Sequence, residues 1–261
     1  IDPELPVRAA VLFEPFVVGT RGVKGLKQKP GDSAIVFGAG IIGMTSAIML
    51  DWYGAEKVMV VDYSDFRLEN ARRLGFETCN AGNEDLKAKA ISVFGSQRGY
   101  PDERCGARLY VDCVGVKAVL TNFAALAPRN GELAVVGVHK EEAPINWTQV
   151  CFNNWHIHGT GEGANEDLLP EIVAMMKSGK YDLASLVTHE FPVERIEEAI
   201  KLAAQPDRAQ AVPVAGDATQ EMDLGTSGTA IALINGGSAM RVEDSAYRGS
   251  GRALRTQDGW R

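Results

Sequence analysis

The chain has 261 residues, of which 45% are hydrophobic, and a formal net charge of −7, as in an ordinary folded domain or pair of domains. The acidic balance and the lack of a lysine/arginine cluster argue against nucleic acid as a partner. No apolar stretch reaches the length of a membrane span and no signal-peptide pattern opens the sequence, so we expect a cytoplasmic protein without membrane contact.

Strand-like and helix-like patterns alternate along most of the chain, which predicts parallel βαβ units. An entry segment at 1–31 contains a predicted helix at 16–26 and ends in a Lys-Pro-Gly-Asp turn. Strands are then predicted at 33–37, 58–61, 76–79, 109–112, 132–136 and 155–158. Helices are predicted between them at 41–52, 65–74, 85–93 and 117–126. The expected fold is α/β, a doubly wound parallel sheet of the Rossmann type over residues 32–160.

The part of the chain after residue 160 has a different texture. Residues 161–215 predict helices at 168–177 and 193–204 and strands at 186–190 and 211–214. Residues 216–261 are rich in Gly, Ser, Thr and Arg, and we expect them to be a largely disordered tail.

A glycine-spaced turn after the first predicted strand carries the main functional signal. Gly38 permits a tight turn, Gly40 lets the backbone approach a diphosphate, and Gly43 lets the following helix lie close to the strand. The amides that open this helix, at Ile41 and Ile42, have no helical partners and point at the anion. The alternative is a βα turn whose glycines serve packing alone, but the surrounding pattern favours a dinucleotide site.

Asp62, which ends the second predicted strand, decides between the two nicotinamide cofactors. A carboxylate there can accept hydrogen bonds from both hydroxyls of an adenosine ribose and repels a 2′-phosphate, so NAD is favoured over NADP. Arg67 follows closely. It either pairs with a phosphate or, in the interpretation we favour, stacks on adenine or stays solvated.

Several later motifs resemble the medium-chain dehydrogenase/reductase family, in particular its zinc-dependent alcohol and polyol dehydrogenases. The resemblance covers residues 8–215 and rests on segments 12–15, 112–115, 135–138, 157–159, 188–192 and 197–199. It implies an NAD-binding Rossmann domain beside a catalytic domain, of which 1–31 and 161–215 would be remnants. Val114, Val136 and Val138, at carboxyl ends of predicted strands, become candidate cofactor contacts.

The same resemblance implies a catalytic zinc that polarises the substrate oxygen during hydride transfer, and a homodimer or homotetramer. The family's zinc ligands, a Cys and a His-Glu or His-Cys pair, are absent here, since the first histidine is His139. Only Glu14 matches a family position near the zinc. His156 and His158 share one face of a predicted strand, but we interpret them as structural.

We therefore expect an NAD-dependent oxidoreductase acting on an alcohol or polyol, from whose sequence the N-terminal catalytic domain is missing. Two alternatives stay open at this point. One is a dinucleotide-binding module without chemistry. The other is a methyltransferase, because a glycine turn followed by an acidic residue also suits S-adenosylmethionine.

Overall fold

A six-stranded parallel sheet forms the centre of the computed structural model, which describes residues 5–160, 168–205, 207–210, 212–215, 233–235 and 238–240. The strands lie in the order β3-β2-β1-β4-β5-β6, and every neighbouring pair is parallel. They are β1 Ser33–Phe37, β2 Lys57–Asp62, β3 Glu77–Asn80, β4 Leu109–Asp112, β5 Glu132–Val135 and β6 His156–Gly159. The order reverses between β1 and β4, which creates a crevice at the carboxyl edge of the sheet.

Helices cover both faces of the sheet. They are α1 Val7–Ala10, α2 Phe13–Lys24, α3 Ile41–Trp52, α4 Asp65–Arg73, α5 Leu86–Phe94, α6 Lys117–Leu126, α7 Trp147–Asn153, α8 Leu169–Lys177 and α9 Ile196–Ala203. The side chains of Ser64, Asp85 and Asn146 accept hydrogen bonds from first-turn amides of α4, α5 and α7, which fixes where these helices begin. None of the helices in the described ranges has the length and apolar character needed to cross a membrane.

Alternation along β1 divides the apolar core between the two faces. Ala34 and Val36 belong to the cluster that includes the buried sides of α2, α3 and α8, whereas Ile35 and Phe37 belong to the cluster around α6. Both clusters are closely packed, as expected for a parallel sheet covered on each side. The expected doubly wound α/β fold is therefore confirmed.

The elements before β1 and after β6 add to the first of these clusters. Phe16 of α2 and Ile172 of α8 are buried in it, and Lys24 of α2 pairs with Glu171 of α8 at 2.7 Å. Tyr181 donates a hydrogen bond to Asp51 at the end of α3 (2.6 Å). Both flanking segments thus pack on the same sheet face, and the domain boundaries at 31 and 160 stay predictions.

The predicted elements of the sheet agree with the structure to within one or two residues, but several expectations elsewhere need correction. The strand expected at 186–190 is wrong: Leu186 ends a 3-10 helix, Leu183–Leu186, Val187 makes a single bridge, and 188–190 belong to no strand. Helices α1 and α7 were not predicted, and the helix expected at 16–26 is Phe13–Lys24 in the structure. The stretch 95–104, expected to be a loop, contributes to a small antiparallel pair, Ser96–Gln97 with Arg104–Cys105.

Most of the tail expected to be disordered lies outside the described residues. Within it, Leu233–Asn235 and Ser238–Met240 form an antiparallel pair, in a sheet with Phe191–Pro192 and Val214–Ala215. The strand expected at 211–214 corresponds to Val214–Ala215, with residue 211 not described.

An ion-pair network joins the amino edge of the sheet to the segment before β1. Arg108 donates to both carboxylate oxygens of Asp32, to Oε1 of Glu132 (2.6 Å) and to the carbonyl of Lys27 (2.6 Å). His158 of β6 lies 3.2 Å from the other oxygen of Glu132. Burial alone would raise the pKa of Asp32 and Glu132. Hydrogen bonds from Arg108 and from backbone amides outweigh it, so the pKa of both carboxyls lies below its ordinary value.

We expect Arg108→Met to lower the free energy of unfolding by about 3 kcal/mol, because two poorly solvated carboxylates then lose their guanidinium partner. Arg129→Met, at an exposed position, is the matched control and should cost less than about 0.5 kcal/mol. Urea unfolding of the three proteins measures both differences. Equal stabilities for the two variants would contradict this role of Arg108.

The same network predicts a pH dependence. Because the folded-state pKa of Asp32 and Glu132 is depressed, their contribution is present above the unfolded-state pKa of about 4 and is lost as pH falls through the folded values. The stability gap between the unchanged protein and Arg108→Met should therefore shrink as pH falls from about 5 to about 2. Urea titrations across this range test it, and a constant gap would contradict it.

Candidate cofactor-binding crevice

The turn between β1 and α3 brings the three motif glycines together with the start of the helix. Gly38 has a φ of +96°, which favours glycine. A Cβ on Gly43 would lie 1.8 Å from the carbonyl oxygen of Gly38, so only glycine lets α3 approach this closely. Around Gly40, by contrast, a Cβ would meet only a guanidinium nitrogen of Arg67, at 3.8 Å, so this face of the turn is open.

The first turn of α3 presents its backbone amides to that open face. Gly40 is the N-cap residue and offers no side-chain cap, and α3 has no acidic residue in its first turn. The amides of Ile41 and Ile42 precede the first helical hydrogen bond, from the amide of Met44 to the carbonyl of Gly40. A diphosphate fits this arrangement of unpaired donors at the positive end of a helix.

Asp62, at the end of β2, is fixed by three backbone amides. Its Oδ2 accepts from Ala39 at 2.6 Å, and its Oδ1 accepts from Tyr63 at 2.7 Å and Ser64 at 2.9 Å. The carboxylate thus ties the glycine turn to the loop after β2. A carboxylate has about four acceptor positions, so this arrangement leaves room for about one ribose hydroxyl instead of the two expected.

Arg67 lies on α4 beside the glycine turn. Its Nε donates to the carbonyl of Ala209 at 3.4 Å and the side chain is half-buried, so stacking on adenine or pairing with a phosphate stays a prediction. Burial lowers the pKa of the guanidinium, whereas Asp62 and Asp207 raise it. The group stays charged, next to the open face at Gly40.

Gln210 was missed by the sequence analysis, although it contacts the glycine turn. It is fully buried, and its Nε2 donates to the carbonyl of Ala39 at 2.7 Å while its backbone amide donates to Oγ1 of Thr188. With Ala209, it forms a short segment across the turn. The sequence could not have indicated this contact, because Gln210 is neutral and lies 171 positions from its partner along the chain.

The three valines occupy different positions at the carboxyl edge. Val114 packs against the glycine turn and is 46% exposed, and Val138 is 75% exposed. Both can offer apolar surface to a ligand. Val136 instead packs toward Gly22 of α2, so its side chain lies against the helical layer.

A cleft of about 450 Å³ lies beside the loop that follows Asp62. Its walls include Tyr63 after β2, Ala81 after β3, and Lys117 and Asn122 on α6. It therefore lies between helix α6 and the loops that follow β2 and β3, and Tyr63 in its wall adjoins the residue expected to hold an adenosine ribose.

The described residues do not offer a zinc site. They contain no group of three or more His, Cys, Asp or Glu side chains arranged to hold a metal. Glu14 lies in the first turn of α2, and the rings of His156 and His158 stack with centroids 6.4 Å apart without forming such a group. Since a catalytic zinc takes three protein ligands, the donors in this part of the chain do not fit one.

Comparison with known proteins agrees with this fold. The family described as zinc-binding dehydrogenase matches residues 42–178, just over half of the chain. The chain belongs to the zinc-binding dehydrogenase family. Its expected place among the medium-chain, zinc-dependent dehydrogenases is thereby confirmed.

Individual relatives align with most of this chain but with only about half of their own length. An L-threonine 3-dehydrogenase of Anaeromyxobacter dehalogenans is 29% identical over 199 residues, 76% of this chain and 55% of the relative. The 2R,3R-butanediol dehydrogenase of Bacillus subtilis is 25% identical with a TM-score of 0.65, over 76% of this chain and 54% of that one. The chain thus spans about half the length of the relatives it matches.

A third protein shares the fold. A short chain alcohol dehydrogenase of Escherichia coli CFT073, solved with NADH, superimposes with a TM-score of 0.69 at 22% identity, over 80% of this chain and 59% of that one.

Gly43→Ala should lower the free energy of unfolding by about 3 kcal/mol or more, because the added methyl overlaps a backbone carbonyl that cannot move without displacing α3. Gly159→Ala is the matched control, since nothing lies within 4 Å of a Cβ there. Chemical denaturation measures both. A Gly43→Ala protein as stable as Gly159→Ala would show that α3 and β1 are not in such close contact.

Proposed function

We propose that the crevice at the carboxyl edge of the sheet binds NAD. We also propose that the chain is part of an oxidoreductase that acts on an alcohol or polyol. The observation that carries this proposal is the open N-terminus of α3 beside a carboxylate fixed on β2. Membership in a dehydrogenase family supports the reaction class. The two relatives named for L-threonine and 2R,3R-butanediol suggest a secondary alcohol as substrate.

The diphosphate of the cofactor would lie over Gly40, where the surface is open. The amides of Ile41 and Ile42 would donate to its oxygens, and Arg67 supplies the nearby positive charge. These donors are held in place by the fold before any ligand arrives, so little ordering is lost on binding.

The adenosine would lie on the β2 side of the crevice. Asp62 would accept a hydrogen bond from a ribose hydroxyl, and the cleft lined by Tyr63 and Ala81 is adjacent to it. A 2′-phosphate at this position would face the carboxylate at about 4 Å and be disfavoured by roughly 1–4 kcal/mol. NAD is therefore the proposed cofactor.

The nicotinamide nucleoside would lie across β4 and β5, against the exposed side chains of Val114 and Val138. When bound, NAD supplies the hydride acceptor or donor that this reaction class requires. These residues of the chain bind and orient the ring and shield it from water. No step of the proposed reaction is assigned to zinc, because the described residues do not fit that ion.

The expectation of a homodimer or homotetramer stays a prediction. Strand β6 is one of the two edge strands of the six-stranded sheet, and Ile157 on it is partly exposed. An edge of this kind can pair with a second copy of the chain.

Titration of the chain with NADH, followed by nicotinamide fluorescence, tests the proposal. We expect saturable binding that ADP competes away. Absence of NADH binding, or saturable binding of S-adenosylmethionine in its place, would overturn it.

Asp62→Asn should raise the ratio of NADPH affinity to NADH affinity about tenfold or more, because the charge that repels a 2′-phosphate is removed. Asp102→Asn, an exposed position in the loop between α5 and β4, is the control and should leave the ratio unchanged. Fluorescence titrations with both cofactors give the ratio, together with a thermal melt, since Asp62 also holds the glycine turn. An unchanged ratio in a folded Asp62→Asn protein would exclude contact between this carboxylate and the adenosine ribose.

A further inference from the structure

A second carboxylate lies at the carboxyl edge of the sheet, and this one is buried and paired with an imidazole. Asp112 ends β4 and is completely buried, and its Oδ2 lies 2.7 Å from Nε2 of His139. The side chain of His139 is 19% exposed, so part of the ring faces outward. The cofactor contacts proposed above do not use this pair.

Asp112 locks together the two loops that follow β4 and β5. Its Oδ1 accepts from the amides of Val114 and Gly115 at 2.9 and 2.8 Å, and its backbone carbonyl accepts from Val136 and Gly137. A Cβ on Gly137 would lie 2.3 Å from the amide nitrogen of Gly115, which shows how closely the loops pass. The loop that carries His139 is therefore held in one position.

This arrangement also fixes the chemistry that His139 offers. An ionised carboxylate only accepts hydrogen bonds, so we assign the ring proton to Nε2, and in the neutral imidazole Nδ1 is then an acceptor. Within the described part of the chain, Nδ1 has no hydrogen-bond partner. Nδ1 of His139 is thus a fixed hydrogen-bond acceptor, which a donor group on a ligand could use.

The pair lies on the side of the crevice opposite to Asp62. Asp112 is in register with Phe37 of β1, and Val114 of the same loop packs against the glycine turn. In a doubly wound fold, the two halves of the sheet each take one nucleoside of a dinucleotide. Since β2 is the proposed adenosine side, β4 and β5 face the other nucleoside.

We propose that His139 binds the nicotinamide nucleoside directly, with Nδ1 accepting a hydrogen bond from its amide or a ribose hydroxyl. Asp112 is the positioning residue that orients the ring. This inference rests on the proposed function and adds a specificity residue to it.

Two variants separate the acceptor from the contact with Asp112. Both His139→Gln and His139→Lys keep a donor toward the buried carboxylate, but only glutamine also has an acceptor. His139→Lys should weaken NADH binding about fivefold to tenfold, the value of one hydrogen bond, whereas His139→Gln should stay within about threefold. ADP, which lacks the nicotinamide nucleoside, should bind all proteins within about twofold of the unchanged chain.

His156→Gln is the control. His156 begins β6 and so lies at the amino edge of the sheet, away from the crevice, and this variant should change neither affinity. Circular dichroism confirms that each variant is folded. Equal NADH affinities for His139→Lys and His139→Gln, or parallel losses for NADH and ADP, would overturn the role of His139 while leaving the proposed function standing. If the unchanged chain does not bind NADH, the proposed function is overturned, and this inference with it.

Discussion

The close approach of α3 to β1 is the constraint on which the rest of the crevice depends. With no side chain on Gly43, the helix begins almost in contact with the carbonyl of Gly38. This proximity directs the free amides of the first turn at a single open region over Gly40. A bulkier residue would tilt or shift the helix, and its positive end would no longer meet the sheet edge. The proposed anion site thus follows from packing and needs no charged side chain to create it.

Two aspartates then build the crevice on either side of that turn in closely similar ways. Asp62 ends β2 and Asp112 ends β4, on opposite sides of β1. Each uses one carboxylate oxygen to hold amides of the loop that follows its own strand. Each offers the other oxygen to a neighbouring loop, at Ala39 for Asp62 and at His139 for Asp112. Backbone amides fill three acceptor positions of Asp62 and two of Asp112, which explains how carboxylates can be held so rigidly at this edge.

Sequence was a good guide where local patterns and tertiary packing agree. The bounds of β1, α3, β4 and α6 could be predicted because apolar runs of clear period lie between glycine or proline turns. Helix α7 has only seven residues of mixed character, and its main signal is the Asn146 cap. The strand expected at 186–190 is wrong, and its first residue, Leu186, is instead the buried last residue of a 3-10 helix. A short apolar run does not distinguish these two conformations.

In the candidate site, the glycines and Asp62 could be predicted from the sequence, because their spacing is typical of the turn and strand ends of one βαβ unit. Gln210 and the Asp112–His139 pair could not, since their partners come from distant parts of the chain and follow no fixed spacing. The same limit applies to the acceptor capacity of Asp62, which depends on amides that only the folded turn brings near.

The central claim is that an ADP moiety binds over the glycine turn, and backbone amide NMR with ADP as the ligand tests it most directly. Saturable shifts should be concentrated at residues 38–43 and 62–64, with residues 156–159 of β6 unchanged. Shifts confined to other surfaces, or none at concentrations well above those that saturate NADH fluorescence, would contradict the account.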